Sequence, residues 1–310
     1  MFQTRNLITG GCGFIGSHLV KELLKREEKV LCLDNFSTGN MQNIEKLVSL
    51  PDFQLIEHDV TKPINLDIDK IWHLACPASP IDYQVNPIET ARTIFLGTYN
   101  MLDLAKRKGA KFLLASTSEV YGDPEQHPQN EEYRGSVNTT GTRSCYVEGK
   151  RLAETLCADF HRVHEVDIRI ARIFNTYGPN MRTKDGRVIS NLIVQGLRNK
   201  KMSIYGQGNQ TRSFCYIDDL ISGIILLMES HFKNPINLGN PKELTIKELA
   251  LLIKAIVNPN LEFSYKKLPN DDPKRRNPDI ELAKEILNWV PNVEIKEGLI
   301  KTIDWFKKNL

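Results

Sequence analysis

Residues 7–16 of this chain read Leu-Ile-Thr-Gly-Gly-Cys-Gly-Phe-Ile-Gly. A short apolar run opens this stretch and an amphipathic segment, residues 14–26, overlaps its end, so the pattern predicts a strand, a tight turn and a helix. Gly10, Gly13 and Gly16 carry no Cβ, and the amides of the turn and of the helix N-terminus can therefore approach a pyrophosphate closely. The stretch predicts a dinucleotide site.

An acidic residue follows the glycine turn at the spacing typical of a residue that binds a ribose. The next apolar run, residues 29–33, ends in Asp34, eighteen residues beyond Gly16. A carboxylate at this point can accept hydrogen bonds from both hydroxyls of an adenosine ribose. It would repel the 2′-phosphate of NADP, so Asp34 indicates NAD.

Composition and charge limit the class of protein. The chain has 310 residues, of which 41% are hydrophobic and 25% charged, as in globular proteins that hold one large domain or two intimate ones. A net charge of +3 is too small and too dispersed to argue for nucleic acid, but it suits an anionic small molecule. The longest apolar stretch, residues 220–228, is too short to span a membrane, so we expect no membrane partner.

The cysteines indicate a reducing compartment. None of the six stands in a CxxC or paired metal spacing, and several lie in apolar stretches, which favours buried free thiols and no metal site. No signal-peptide pattern precedes the first predicted strand. We therefore expect a cytoplasmic protein. The six are Cys12, Cys32, Cys76, Cys145, Cys157 and Cys215.

Strand-like runs alternate with helical patterns through the first half of the chain. The runs cover residues 6–10, 29–34, 53–59, 70–75, 111–116 and 167–174. Long helices are predicted over 90–108 and 146–164. The separations fit parallel βαβ crossovers and predict an α/β fold with a doubly wound parallel (Rossmann) sheet.

The regular alternation of strand-like and helical segments ends after residue 174, where Pro, Gly and Asn separate shorter elements. We expect an NAD-binding Rossmann domain over 1–174 and a smaller C-terminal α/β substrate-binding region over 175–310, with helices at 188–200, 245–257 and 296–308. The two are expected to interleave, because segment 218–238 should pack back on the sheet. Its helix, 218–230, is predicted to be capped by Asp218.

A tyrosine and a lysine share one face of the predicted helix 146–164. Tyr146 and Lys150 stand four residues apart, and an ammonium beside a phenol can lower its pKa by roughly one to three units from about 10. Residues 116–119, Ser-Thr-Ser-Glu, end a predicted strand, and the carboxyl ends of strands line the ligand crevice. Thr117 is thus expected to bind a substrate hydroxyl, and Glu119 to act as acid, base or water holder.

These motifs resemble those of extended short-chain dehydrogenase/reductases that act on nucleotide sugars, and within that group the UDP-glucuronate decarboxylase (UDP-xylose synthase) family. The resemblance runs from about residue 5 to the C-terminus. Ser-Thr-Ser-Glu-Val-Tyr-Gly at 116–122 and Asp-Gly-Arg-Val-Ile-Ser-Asn at 185–191 point most narrowly to it, and Asp-Asp-Pro-Lys-Arg-Arg at 271–276 adds to it.

The resemblance implies a set of binding residues. Those expected to hold NAD are Gly10, Gly13, Phe14, Ile15, Gly16, Asp34, Asn35, Asp59, Val60, Leu74, Thr93, Tyr146, Lys150 and Thr176. Those expected to hold the UDP-sugar are Arg92, Asn175, Asn191, Tyr205, Arg212 and Arg276. Of these, Tyr205 is expected to lie beside the uracil. The two asparagines, Arg212 and Arg276 are expected to contact the diphosphate. Arg92 replaces a common lysine, and Val147 a common aspartate.

The resemblance also implies a reaction. Tyr146 would take the proton of the C4 hydroxyl while hydride leaves C4 for NAD, the 4-keto acid would lose CO2, and hydride return would give UDP-xylose. A nucleotide-sugar 4,6-dehydratase, a UDP-sugar 4-epimerase and a non-catalytic NAD-binding scaffold remain as alternatives. Helices 90–108 and 146–164 resemble those that pair between subunits in this superfamily, which implies a homodimer.

Overall fold

The computed structural model describes residues 3–267 and 276–310, so residues 271–275 of the Asp-Asp-Pro-Lys-Arg-Arg motif lie outside the described residues. The strands are β1 (Arg5–Thr9), β2 (Lys29–Asp34), β3 (Phe53–Glu57), β4 (Lys70–His73), β5 (Lys111–Thr117), β6 (Ile168–Ile173), β7 (Thr176–Tyr177), β8 (Met202–Tyr205), β9 (Thr211–Ser213), β10 (Cys215–Tyr216), β11 (Pro235–Leu238), β12 (Glu243–Thr245) and β13 (Phe263–Lys266). The α-helices are α1 (Phe14–Lys25), α2 (Pro80–Tyr83), α3 (Pro87–Lys108), α4 (Ser144–His164), α5 (Val188–Leu197), α6 (Ile217–Glu229), α7 (Ile246–Val257), α8 (Glu281–Leu287) and α9 (Ile295–Asn309).

Seven strands form one parallel sheet in the order β11-β6-β5-β4-β1-β2-β3. The order reverses between β1 and β4, and parallel sheets of this kind bind ligands at such a reversal, beyond the carboxyl ends of the strands. The predicted α/β doubly wound fold is confirmed.

Helices cover both faces of the sheet, which is why its strands read as nearly continuous apolar runs. Successive residues of β5 pack on opposite sides, since side chains alternate along a strand. Phe112 and Leu114 belong to the apolar cluster that includes residues of α3 and α4, whereas Leu113 belongs to the cluster that includes residues of α1 and α6. All three are fully buried.

Segment 217–238 returns to the sheet. Helix α6 packs against α1, and β11 pairs with β6 in parallel register. The predicted capping role of Asp218 is wrong, because Tyr216 occupies the N-cap and Asp218 lies in the first turn. Its neighbour Asp219 accepts hydrogen bonds from the backbone amides of Asn292 (3.1 Å) and Val293 (2.9 Å), which fixes the segment that leads into α9.

The remaining C-terminal elements form small sheets and a helical layer. β8 pairs with β13 in parallel and β9 with β12 in antiparallel register, while α5, α7 and α9 pack on one another. Helix α7 starts with a capping box between Thr245 and Glu248. Within the described ranges, no helix combines the length and the apolar character needed to cross a bilayer.

Candidate active site

A cavity of about 1070 Å³ opens beyond the carboxyl ends of β1, β4, β5 and β6. The sheet supplies one wall, and segments of the chain beyond residue 174 supply the other. Every candidate residue named from the sequence lines this cavity except Arg92, an exposed residue of α3 that in the described structure forms an ion pair with Glu89 at 3.3 Å.

The glycine turn forms one end of the cavity. Gly10 has φ +72°, a left-handed conformation, and a Cβ there would lie 3.0 Å from the backbone of Ala75. A Cβ on Gly16 would lie 2.2 Å from the Gly10 carbonyl oxygen, so α1 can begin this close to the turn only with glycine. The N-cap residue, Gly13, has no side chain over the first amides of α1. A dinucleotide pyrophosphate fits this turn.

Asp34 is held rigidly at the edge of the same end. Its two carboxylate oxygens accept hydrogen bonds from the backbone amides of Cys12 and Phe36, each at 2.9 Å. Burial raises the pKa of Asp34, and these two bonds act in the opposite direction. Each oxygen keeps a further lone pair for a ribose hydroxyl.

Tyr146 lies at the other end, on the first turn of α4. It is buried, its ring stacks on that of Tyr83 (centroids 5.0 Å apart, planes 2° apart), and its hydroxyl shares a hydrogen bond with Thr117. Burial raises the pKa of Tyr146 well above its ordinary value, while the Thr117 hydrogen bond acts to lower it. The expectation of a lowered phenol pKa is therefore wrong for this geometry, because desolvation outweighs the favourable contacts.

Lys150 follows one helical turn later and is also buried. Its ammonium donates a hydrogen bond to the carbonyl oxygen of Ala115 at 2.7 Å, which ties α4 to the end of β5. Burial is the main reason why the pKa of nearby His73 falls to about 3, and the positive charge of Lys150 contributes to the same shift. His73 is therefore a neutral, buried residue behind the site, hydrogen-bonded to Thr9 at 2.8 Å.

Glu119 lies in the 3₁₀ turn Ser118–Tyr121 that follows β5. Arg143 donates a hydrogen bond to Glu119 Oε1 at 2.6 Å, and Arg276 Nη1 lies 3.6 Å from the same oxygen. Burial acts to raise the pKa of Glu119, but the charges of the two arginines outweigh it and lower the pKa below its usual value. Glu119 is thus ionised at neutral pH, which disfavours the role of proton donor among those expected for it.

Two polar atoms of this cluster are buried without a hydrogen-bond partner among the described residues, namely Glu119 Oε2 and Arg276 Nε. A buried polar atom left unpaired costs about 1–3 kcal/mol, so such atoms mark a place where a ligand is received. Arg276 therefore lies at the tyrosine end of the cavity. The diphosphate contact expected of Arg276 from the sequence stays a prediction.

Sequence reasoning missed two residues of the site, Arg143 and Tyr83. Arg143 stands three residues before Tyr146, and a cation so close to a candidate base is a usable signal. Tyr83 ends the short helix α2, and its hydroxyl is buried with no hydrogen-bond partner in the described part of the chain. Nothing in its local sequence indicates that it stacks on Tyr146, because that contact joins residues 63 positions apart.

Comparison with known proteins identifies the family of this chain. Residues 6–239 match the NAD dependent epimerase/dehydratase family. UDP-glucuronic acid decarboxylase 3 of Arabidopsis thaliana is 55% identical over 95% of this chain and 86% of its own, and UDP-glucuronic acid decarboxylase 1 of Xenopus tropicalis is 52% identical over 99% of this chain and 73% of its own.

A solved structure shows the same fold over the whole length. UDP-glucuronic acid 4-epimerase from Bacillus cereus, in complex with UDP-glucuronic acid and NAD, superposes with a TM-score of 0.89 at 29% identity, covering 99% of this chain and 100% of the epimerase. The chain thus belongs to the NAD dependent epimerase/dehydratase family, and it is similar over nearly its whole length to UDP-glucuronic acid decarboxylases.

Proposed function

We propose that this protein is a NAD-dependent UDP-glucuronate decarboxylase that forms UDP-xylose and CO2. The observation that carries the proposal is a single cavity that joins a dinucleotide turn to a buried tyrosine and an arginine-bound glutamate. Relatives named as UDP-glucuronic acid decarboxylases support it at 52–55% identity.

NAD is the cofactor of this family, and when bound it would accept hydride from C4 of the sugar and later return it. We propose that the glycine turn holds its pyrophosphate and that Asp34 holds the adenosine ribose. The other residues proposed to contact NAD are Asn35, Asp59, Val60, Leu74, Thr93 and Thr176, all in the cavity wall. In this arrangement residues 1–174 supply the cofactor site except for Thr176, and residues 175–310 supply most of the residues proposed to hold the UDP moiety.

Tyr146 is proposed to move the proton at O4. In its phenolate form, which the positive charge of bound NAD would favour, it takes that proton as C4 loses hydride, which leaves a ketone at C4 and the C6 carboxylate β to it. The Thr117 hydroxyl stabilises the phenolate, and Lys150 is held by Ala115 one helical turn away from Tyr146. The C5–C6 bond then breaks and its electron pair moves into an enolate at O4. A proton adds at C5, and Tyr146 returns its proton to O4 as C4 regains hydride.

Arg276 and Arg143 give the sugar end of the cavity a positive field. We propose that Arg276 faces the C6 carboxylate, since a guanidinium matches a carboxylate and its Nε has no partner in the described residues. Ionised Glu119 orients Arg276 and can hold a water molecule beside C5. Asn175, Asn191, Tyr205 and Arg212 remain our proposal for the UDP moiety.

The product mass tests the proposed reaction. Incubation with UDP-glucuronate is expected to give a nucleotide sugar lighter by one CO2, because ketone formation at C4 makes the C5–C6 bond labile. The measurement is mass spectrometry of the products from UDP-glucuronate, UDP-glucose and dTDP-glucose, with and without added NAD. Loss of water would instead support a 4,6-dehydratase, and an isomer of unchanged mass would support a 4-epimerase. No conversion of any of the three sugars would support a scaffold.

Replacing the proposed base tests its role. Tyr146→Phe is expected to lower kcat by roughly 10²–10⁴-fold, because the ring still stacks on Tyr83 but no group remains to take the O4 proton. NAD affinity and thermal unfolding serve as controls and should stay near those of the wild type. Turnover within tenfold of the wild type would refute the assignment.

We further propose a homodimer built from α3 and α4. Exposed apolar side chains lie on both helices, including Phe95 (39% exposed), Tyr99 (46%), Leu152 (44%) and Val163 (70%). The two helices pack closely on each other, so the same pair from a second copy would complete a four-helix arrangement. The free thiols of the cysteines suit a reducing compartment, from which we infer a cytoplasmic location.

Light scattering tests the dimer. Leu152→Glu is expected to convert a wild-type dimer of this 35.4 kDa chain into a monomer, because it buries a charge at the centre of the proposed interface. Leu251→Glu is the matched control, since Leu251 is equally exposed (46%) but lies on α7. A monomeric wild type at micromolar concentration would contradict the proposal.

A further inference from the structure

Arg276 is held in place by a residue that no motif of the sequence pointed to. Gln129 is fully buried, and its side-chain Oε1 accepts a hydrogen bond from the backbone amide of Asn277 at 2.9 Å. That amide belongs to the peptide unit that begins at Arg276. The Gln129 side chain therefore fixes the backbone immediately after the arginine.

The backbones of the two segments are also joined. The amide of Gln129 donates to the Asn277 carbonyl at 2.9 Å, and the amide of Asp279 donates to the Gln129 carbonyl at 2.8 Å. The Gln129 side-chain amide donates to the Gln126 carbonyl at 2.7 Å, which fixes the rotamer that presents Oε1 to Asn277. Both ends of the side chain are thus engaged.

A second buried amide connects this junction to the segment that carries Glu119. Asn237 donates from Nδ2 to the carbonyls of Gln129 (3.0 Å) and Asp279 (3.1 Å), and its Oδ1 accepts from the Tyr121 hydroxyl at 2.7 Å. Tyr121 ends the same 3₁₀ turn that contains Glu119. One continuous hydrogen-bond network therefore sets the position of Arg276 relative to Glu119.

We propose that Gln129 is a positioning residue for substrate recognition, which acts by holding Arg276 in line with Glu119 and the substrate carboxylate. The inference rests on the proposed function, since it takes Arg276 as the residue that faces that carboxylate. Gln129 itself does not line the cavity formed by the described residues, so its effect must pass through Arg276. Displacement of a charged group by about 1 Å is enough to weaken recognition severely.

Three variants test the proposal. Gln129→Met keeps the volume and removes the acceptor, so it is expected to raise the Kd for UDP-glucuronate by roughly tenfold and leave the Kd for UDP, which lacks the sugar, within twofold. Gln129→Glu should restore most of the affinity at a pH where its carboxyl is protonated, because only that form both accepts from Asn277 and donates to the Gln126 carbonyl. Tyr133→Phe is the matched control, because it removes from the same loop a side-chain acceptor of another backbone amide, that of Glu125. It should bind both ligands like the wild type.

The decisive comparison is made in the Arg276→Ala background. There, Gln129→Met should add less than a twofold further loss of UDP-glucuronate affinity, because the group that it positions is gone. Calorimetry of both ligands is the measurement. Equal weakening of UDP and UDP-glucuronate, an unchanged Kd, or the same tenfold loss in both backgrounds would overturn the proposal.

Amide hydrogen exchange separates this inference from the proposed function. Gln129→Met should speed exchange in residues 277–280 relative to wild type and Tyr133→Phe, with little change elsewhere. A wild type that releases no CO2 from UDP-glucuronate, yet shows this local change on substitution, would refute the decarboxylase assignment while supporting the role of Gln129 in fixing the backbone beside Arg276. Unchanged exchange in 277–280 would overturn the inference whatever the substrate is.

Discussion

The hydrogen bond from the Lys150 ammonium to the Ala115 carbonyl, at 2.7 Å, is the contact on which the site depends. It joins α4 to the end of β5, two residues before Thr117. Helix α4 carries Tyr146, and the turn after β5 carries Glu119. A shift between these two elements would separate the proposed base from the hydroxyl that supports it and from the charged cluster beside it.

Burial is the second constraint: it acts to raise the pKa of both key groups, and their other contacts make the outcomes differ. The pKa of the Tyr146 phenol stays raised because the Thr117 hydrogen bond compensates for desolvation only in part. The Glu119 carboxylate stays charged in a comparable environment because Arg143 and Arg276 lower its pKa. Two groups whose pKa values are driven apart in this way can divide proton transfer and charge positioning between them.

The sequence predicted the fold closely because the fold follows from local periodicity. Strand β2 was predicted with its observed bounds, and α1 within one residue, since apolar runs and the glycine turn define their ends. The N-cap of α6 was not predicted correctly, because an aspartate at the start of a helix is equally favourable at the N-cap position and in the first turn.

Contacts between segments that are distant in the sequence could not be predicted from it. The stacking of Tyr83 on Tyr146, the bond from Arg143 to Glu119 and the hold of Gln129 on Asn277 all depend on tertiary packing. The pKa of Tyr146 differs from the expectation for the same reason, since its burial depends in part on Tyr83 of α2, which stacks on its ring.

The central claim is that C4 is oxidised transiently and regains the same hydride while Tyr146 shuttles the O4 proton. The most direct test uses UDP-glucuronate labelled with deuterium at C4, converted in ordinary water and analysed by NMR. The account predicts UDP-xylose that retains deuterium at C4 and carries a solvent proton at C5. UDP-xylose that has lost the C4 label to solvent would contradict it.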